Sequence, residues 1–174
     1  PTLSDGPSPE YADMKRRFVI GLILALPVVA LEMGAHLTVL RHYLDGNIAN
    51  LIQMVLATPV VLWAGWPFFE RGWASVKSGH LNMFTLIALG TGVAWLFSVA
   101  ATLAPAMIPA AFRGMHGEPP LYFEAAAVIV VLVLVGQILE LRAREQTSGA
   151  LRALLNLAPK TALIEDPDLL DLAQ

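Results

Sequence analysis

Four long apolar runs are the feature that most restricts how this chain can fold. A helix needs about 20 mainly apolar residues to cross the hydrocarbon core of a bilayer, and each run is close to that length. Only 14% of the residues are charged, whereas a soluble domain has roughly 25%. The sequence therefore predicts an all-α membrane protein with four transmembrane helices. The predicted spans cover about residues 18–40, 51–66, 81–103 and 121–141.

Composition excludes several other classes of protein and site. The 174 residues include no cysteine, so disulfides, thiolate metal ligands and a cysteine nucleophile are excluded within them. The net charge is −3, and no basic run is longer than Lys15 to Arg17, so we expect no nucleic-acid partner. The first apolar run is too long for the apolar part of a signal peptide, so we expect it to remain as a span.

The basic residues predict the orientation in the membrane. Cytoplasmic loops carry an excess of Lys and Arg, and nine of the eleven basic residues fall on one side of the predicted spans. Both termini are therefore predicted to be cytoplasmic. The nine are Lys15, Arg16, Arg17, Arg71, Lys77, Arg142, Arg144, Arg152 and Lys160, and Arg41 and Arg113 flank the other side.

Three regions follow along the chain. Residues 1–14 are rich in Pro, Ser and acid and predict a flexible N-terminal linker. Residues 15–146 form the four-helix membrane region. Residues 147–174 are predicted to be a cytoplasmic stalk, because an amphipathic helical pattern continues from Arg142 and stops by Pro159.

The second apolar run is predicted to break near Gly65 and Pro67. Proline removes a backbone donor and clashes with the preceding turn, so a helix bends or breaks there. Aromatic and charged side chains then alternate, which is typical of a helix lying along a membrane surface. We predict a platform helix over residues 66–79, within about 30° of the membrane plane. An ordinary interfacial connector with aromatic anchors is the alternative.

Three carboxylates lie in or beside the predicted spans. Glu32 lies inside the first span, where a carboxylate is costly, and we expect it to bond to a neighbouring helix. Glu124 and Glu140 bracket the fourth span, about 24 Å apart at the helical rise of about 1.5 Å. This placement suggests an entry and an exit at opposite membrane faces. The alternative is that Glu140 only pairs with Arg144, one turn later.

Three segments resemble the copper(I)-exporting subgroup of heavy-metal P-type ATPases. They are GWPFFERGW, KSGHLNMFTLIALGTGVAW and YFEAAAVIVVLVLVGQILELRAREQTSGALRALL. The resemblance covers about residues 15–163. It implies the first four membrane helices of such a pump, of which two are specific to the heavy-metal class and two precede the actuator domain. The stalk would then lead to the actuator, and the protein would be a multi-pass protein of the cell membrane.

The resemblance also implies roles for particular residues. The family's second helix kinks at a double glycine, which here is Ala64-Gly65, and the platform after it is where a copper chaperone is thought to dock. Arg71 and Lys77 are the expected electropositive contacts with the chaperone.

The matching entry-site residues are Met83 and Glu140, and Glu124 matches a glutamate of the release path. A thioether is a soft ligand that suits Cu(I). We expect Met83 and Glu140 to converge within about 10 Å at the cytoplasmic face, because consecutive helices usually pack as neighbours.

The motifs for ATP hydrolysis are missing from these 174 residues, as is the membrane Cys-Pro-Cys. The resemblance therefore implies that ATP and Mg²⁺ bind to the remainder of the ATPase polypeptide. Expected partners of this chain are Cu(I), a copper chaperone and the lipid bilayer. Two alternatives stay open: part of a zinc or cadmium pump, and a freestanding four-helix membrane protein that binds metal or acts as a scaffold.

Overall fold

The computed structural model describes residues 8–36, 45–114 and 117–157, and these ranges are helical apart from short connections. The α-helices are α1 (Pro9–His36), α2 (Gly46–Pro59), α3 (Trp66–Ser78), α4 (Met83–Leu103) and α5 (Phe123–Leu157). A π-helical turn, Val60–Ala64, follows α2 directly, and two short 3-10 turns, Pro105–Met107 and Ala110–Phe112, lie between α4 and α5.

Four helical segments are long and apolar enough to cross a membrane, which confirms the predicted number. They are Pro9–Gly34, Gly46–Ala64, Met83–Leu103 and Phe123–Leu151. The second segment is α2 together with the π-helical turn, and it begins five residues before the predicted span, at Gly46.

The first helix begins earlier than the sequence pattern indicated. Residues 9–14 are helical rather than part of a flexible linker. The reason is local, because the Tyr11 amide donates to Ser8 Oγ at 3.3 Å and Pro9 occupies the first helical position. Serine before a helix and proline in its first turn are favoured there. Parts of four predicted segments lie outside the described ranges. They are residues 1–7 of the linker, 37–40 of the first span, the loop with Arg41, and 158–174 of the stalk.

Within residues 1–139, one compact unit of the chain, α3 packs chiefly against α4, and α1 packs against α2 and the π-helical turn. The first part of α5 buries a stripe at spacings of three and four residues, as expected for one face of a helix. A central apolar cluster joins Val28, Ala57 and Phe123, which are fully buried. The stripe consists of Phe123, Ala126, Ala127, Val130, Val131, Leu134 and Gln137.

Polar side chains connect the apolar helices. As expected, Glu32 bonds to a neighbouring helix, because Gln53 Nε2 of α2 donates to its Oε2 at 3.2 Å. Trp95 Nε1 donates to Thr58 Oγ1 at 3.1 Å, and the Tyr122 amide donates to Ser98 Oγ at 2.7 Å. Burying a polar group without a hydrogen bond is costly, so these contacts favour one arrangement of the helices.

Candidate functional site

The break in the second apolar segment is built from a π-helical turn. The Gly65 amide donates to Val60 O at 3.0 Å, a bond over five residues, and Gly65 then accepts the Phe68 amide at 2.9 Å as the first residue before α3. The segment from Leu51 to Lys77 is therefore not one continuous α-helix. The sequence predicts this interruption. Ala64, in place of the family's first glycine, is compatible with the break, because no described non-glycine residue has a positive φ.

Pro67 has a different role from the one the sequence suggested. It lies in the first turn of α3, where the backbone amides have no intrahelical partner and a missing N–H costs little. The proline therefore begins the platform helix, whereas the break itself lies upstream, over residues 60–65.

Arg17 of α1 contacts the π-helical turn at Trp63. Its Nη1 donates to the Trp63 carbonyl, and its guanidinium carbon lies 5.2 Å from the centre of the Trp63 ring. Asp13, one turn earlier on α1, holds the Arg17 Nε at 2.7 Å. Sequence reasoning missed this contact, because Arg17 and Trp63 are 46 residues apart in the chain.

The platform helix α3 has two distinct faces. Phe68, Gly72 and Ser75 are buried, and Gly72 allows the close approach to α4, since a Cβ there would lie 2.9 Å from the Phe84 carbonyl oxygen. The opposite face is exposed at positions four and three residues apart, which form one stripe along a helix. This exposed stripe consists of Trp66, Glu70, Trp73 and Lys77.

Of the two basic residues predicted to contact a chaperone, Lys77 is exposed and Arg71 is largely engaged within the protein. The Arg71 side chain is only 33% exposed and forms an ion pair with Glu10 at 2.7 Å. It also donates to Gln137 Oε1 at 2.7 Å and lies over the Phe84 ring. The chemistry of Arg71 here is that of an internal link between helices.

Met83 is the first residue of α4, and it is 58% exposed. The turn before it is held by Asn82, whose side chain accepts the amides of Phe84 at 3.0 Å and Thr85 at 3.3 Å. Ser75 Oγ lies 2.8 Å from Thr85 Oγ1 and ties the platform to this helix start. The thioether thus lies at a capped helix start. The sequence signal for this cap is Asn82 followed three residues later by Thr85.

The two glutamates of α5 lie near its start and at its middle. Glu124 is in the first turn and is half-buried. Glu140 accepts from Arg144 Nη2 at 2.5 Å, the pairing that helix spacing alone predicts. In the described part of the chain, no three His, Cys, Asp or Glu residues are grouped to hold a metal ion. The convergence of Met83 with Glu140 stays a prediction.

Four membrane-length helices, the second of them broken before an amphipathic helix, define a helical segment of a multi-pass membrane protein. More specifically, the chain is homologous to the membrane portion of copper- and silver-exporting P-type ATPases. No family model matches the chain.

Three relatives illustrate the homology. A copper-exporting P-type ATPase of Legionella pneumophila is 61% identical over 92% of this chain and 22% of the relative. A silver-exporting P-type ATPase of Salmonella typhimurium is 60% identical over 96% of this chain and 20% of the relative. A copper-transporting P-type ATPase of Rhizobium leguminosarum is 57% identical over 93% of this chain and 19% of the relative. The chain thus spans about a fifth of the length of these relatives.

Proposed function

We propose that this chain is the Cu(I)-entry and platform portion of an ATP-driven Cu(I) export pump of the cell membrane. The observation that carries the proposal is the identity of 57% to 61%, over more than nine-tenths of the chain, to proteins named as copper or silver pumps. ATP and Mg²⁺ would bind to other parts of such a pump. The excess of basic residues on one side supports cytoplasmic termini and a cytoplasmic platform.

Met83 and Glu140 are the proposed entry residues. The exposed thioether of Met83 offers a soft ligand for Cu(I). The Glu140 side chain is 48% exposed, so its carboxylate can release Arg144 and attract a cation instead. An entry site has to release its ion as readily as it binds it, and one thioether with one carboxylate suits that requirement. Glu124, in the first turn of α5, is the proposed release-path residue.

Trp66, Trp73 and Lys77 of the exposed stripe are the proposed docking contacts for a copper chaperone. Two tryptophans, Trp66 and Trp73, offer large apolar contacts of the kind that dominate binding energy at interfaces. Lys77 adds a positive charge at the end of the stripe. Such a charge acts mainly on the rate of encounter with an acidic partner and is screened by salt.

The test of the entry proposal is to mutate both residues in the full-length pump. Met83→Leu keeps volume and apolarity, so packing should change by less than about 1.5 kcal/mol, and Glu140→Gln removes only the charge. We expect each change to lower Cu(I)-stimulated ATP hydrolysis by about tenfold or more, the scale seen when metal sites lose supporting groups. The matched control is Met107→Leu, because Met107 is also exposed but lies between α4 and α5. Wild-type turnover in both variants would show that neither residue handles the ion.

Ag(I) is a second candidate substrate, because the Salmonella typhimurium relative is named as a silver exporter. Silver(I) is also a soft monovalent cation, so the Met83 thioether suits it for the same reason as copper. Stimulation of ATP hydrolysis by Cu(I), Ag(I) and Zn²⁺ in parallel distinguishes these substrates. Stimulation by Zn²⁺ alone would contradict the proposal.

A further inference from the structure

We propose that Arg71 is a positioning residue for ion entry rather than a docking contact, and that Glu10 orients it. This inference rests on the proposed Cu(I)-entry function and adds two residues to it. Arg71 would hold the platform, the start of α4 and the middle of α5 in one arrangement, so that the entry is ready for the ion.

The evidence is that Arg71 contacts three helices besides its own. From α3, its Nη2 reaches Glu10 Oε1 of α1 and its Nη1 reaches Gln137 Oε1 of α5, each at 2.7 Å. Its guanidinium carbon lies 5.1 Å from the centre of the Phe84 ring of α4. A planar guanidinium can serve two acceptors and an aromatic face at once, which a lysine ammonium cannot do in the same geometry.

Two of these partners adjoin the proposed entry residues in the sequence. Phe84 directly follows Met83, and its ring also stacks on Phe68 of the platform with the ring centres 6.0 Å apart. Gln137 precedes Glu140 by three residues on α5 and is only 7% exposed. A buried amide oxygen needs a donor, and Arg71 supplies one.

Glu10 makes the positioning role distinguishable from a docking role. Its carboxylate compensates the Arg71 charge, so the pair presents little net positive charge to an acidic partner. If Arg71 served for docking, removing the Glu10 charge would make the surface more positive and would speed docking or leave it unchanged. If Arg71 serves for positioning, the same change frees the guanidinium and impairs entry even when Cu(I) comes without a chaperone.

The experiment uses the full-length pump with Cu(I) supplied from a small-molecule buffer. We expect Glu10→Gln to raise the Cu(I) concentration for half-maximal ATP hydrolysis by about fivefold. That factor equals about 1 kcal/mol, the upper end for a partly exposed ion pair. Glu70→Gln is the matched control, since Glu70 lies exposed beside Arg71 and its change removes the same charge.

The charge exchange of Glu10→Arg with Arg71→Glu is the second variant. It should recover most of the activity lost with Arg71→Glu alone, because the Gln137 amide can turn and donate to a carboxylate at position 71. A general loss of folding or of maximal rate would not give this recovery. Nor would it change only the Cu(I) concentration for half-maximal ATP hydrolysis.

Two results would overturn the inference: Glu10→Gln behaving like Glu70→Gln, or the charge exchange performing no better than Arg71→Glu alone. Met83→Leu in the same assay tests the proposed entry function independently of the positioning role. If Met83→Leu impairs activation by Cu(I) and Glu10→Gln does not, only the positioning role is wrong. If Met83→Leu has no effect either, the entry function and the positioning role are both wrong.

Discussion

A methyl group at position 65 should disturb the break more than its size suggests. A Cβ built on Gly65 would lie 2.4 Å from the Val61 carbonyl oxygen, where ordinary contacts begin near 3.4 Å. The atoms would therefore overlap by about 1 Å, and the obstacle is backbone rather than a flexible side chain. The same Cβ would lie 3.2 Å from Val130 Cγ2 of α5.

The expected cost of Gly65→Ala follows from those contacts. To relieve the overlap, the backbone between the π-helical turn and α3 has to rotate, and strained or overpacked sites cost about 1–3 kcal/mol. Alanine returns at most about 1 kcal/mol through reduced freedom of the unfolded chain. We therefore predict a destabilised break with the platform shifted, at a net cost of about 1–2 kcal/mol.

The assay compares Gly65→Ala with Gly90→Ala in the full-length pump. The control makes the same chemical change inside α4, where an added Cβ meets no described atom within 4 Å. The measurements are the half-life of Cu(I)-stimulated activity at raised temperature and the rate of copper transfer from a chaperone. Both should fall for Gly65→Ala and stay near wild type for Gly90→Ala. Equal values for the two variants would refute the reasoning that the break needs a residue without a Cβ.

Two further changes test the packing between helices. Gly72→Ala should shorten the half-life of activity at raised temperature, because its Cβ would lie 2.9 Å from the Phe84 carbonyl oxygen and 3.0 Å from Ala88 Cβ. Adding Ala88→Gly should recover only part of the loss, and an unchanged half-life for Gly72→Ala would contradict the close approach. Glu32→Leu should destabilise the protein by about 1–3 kcal/mol more than Glu32→Gln, because leucine leaves the buried Gln53 amide without the acceptor that glutamine keeps. Equal thermal unfolding of the two Glu32 variants would contradict this expectation.

The helices and their approximate ends follow from local patterns in the sequence. The number of membrane-length helices follows from hydropathy, and the change to an amphipathic helix at Trp66 follows from the alternation of aromatic and charged residues. These features depend on neighbours within about one helical turn, so local pattern suffices to predict them. Ser8 and Pro9 are a local signal for the start of α1, but the proline-rich composition around them indicates a linker instead.

The bond between Glu32 and Gln53 was predictable only in part. A carboxylate inside an apolar span needs a partner, and this requirement can be derived from the sequence alone. The identity of the partner cannot, because it depends on which faces of α1 and α2 meet.

The contacts of the basic residues near the break depend on how the helices pack together. The sequence predicts that Arg71 faces a partner protein, yet its side chain reaches Glu10 and Gln137, which are 61 and 66 residues away in the chain. Arg17 likewise reaches Trp63. Local pattern shows that a cation lies at a helix surface but not which helix packs beside it. That choice depends on the relative rotation and offset of the packed helices, set here by the close approach at Gly72 and the buried stripe of α5.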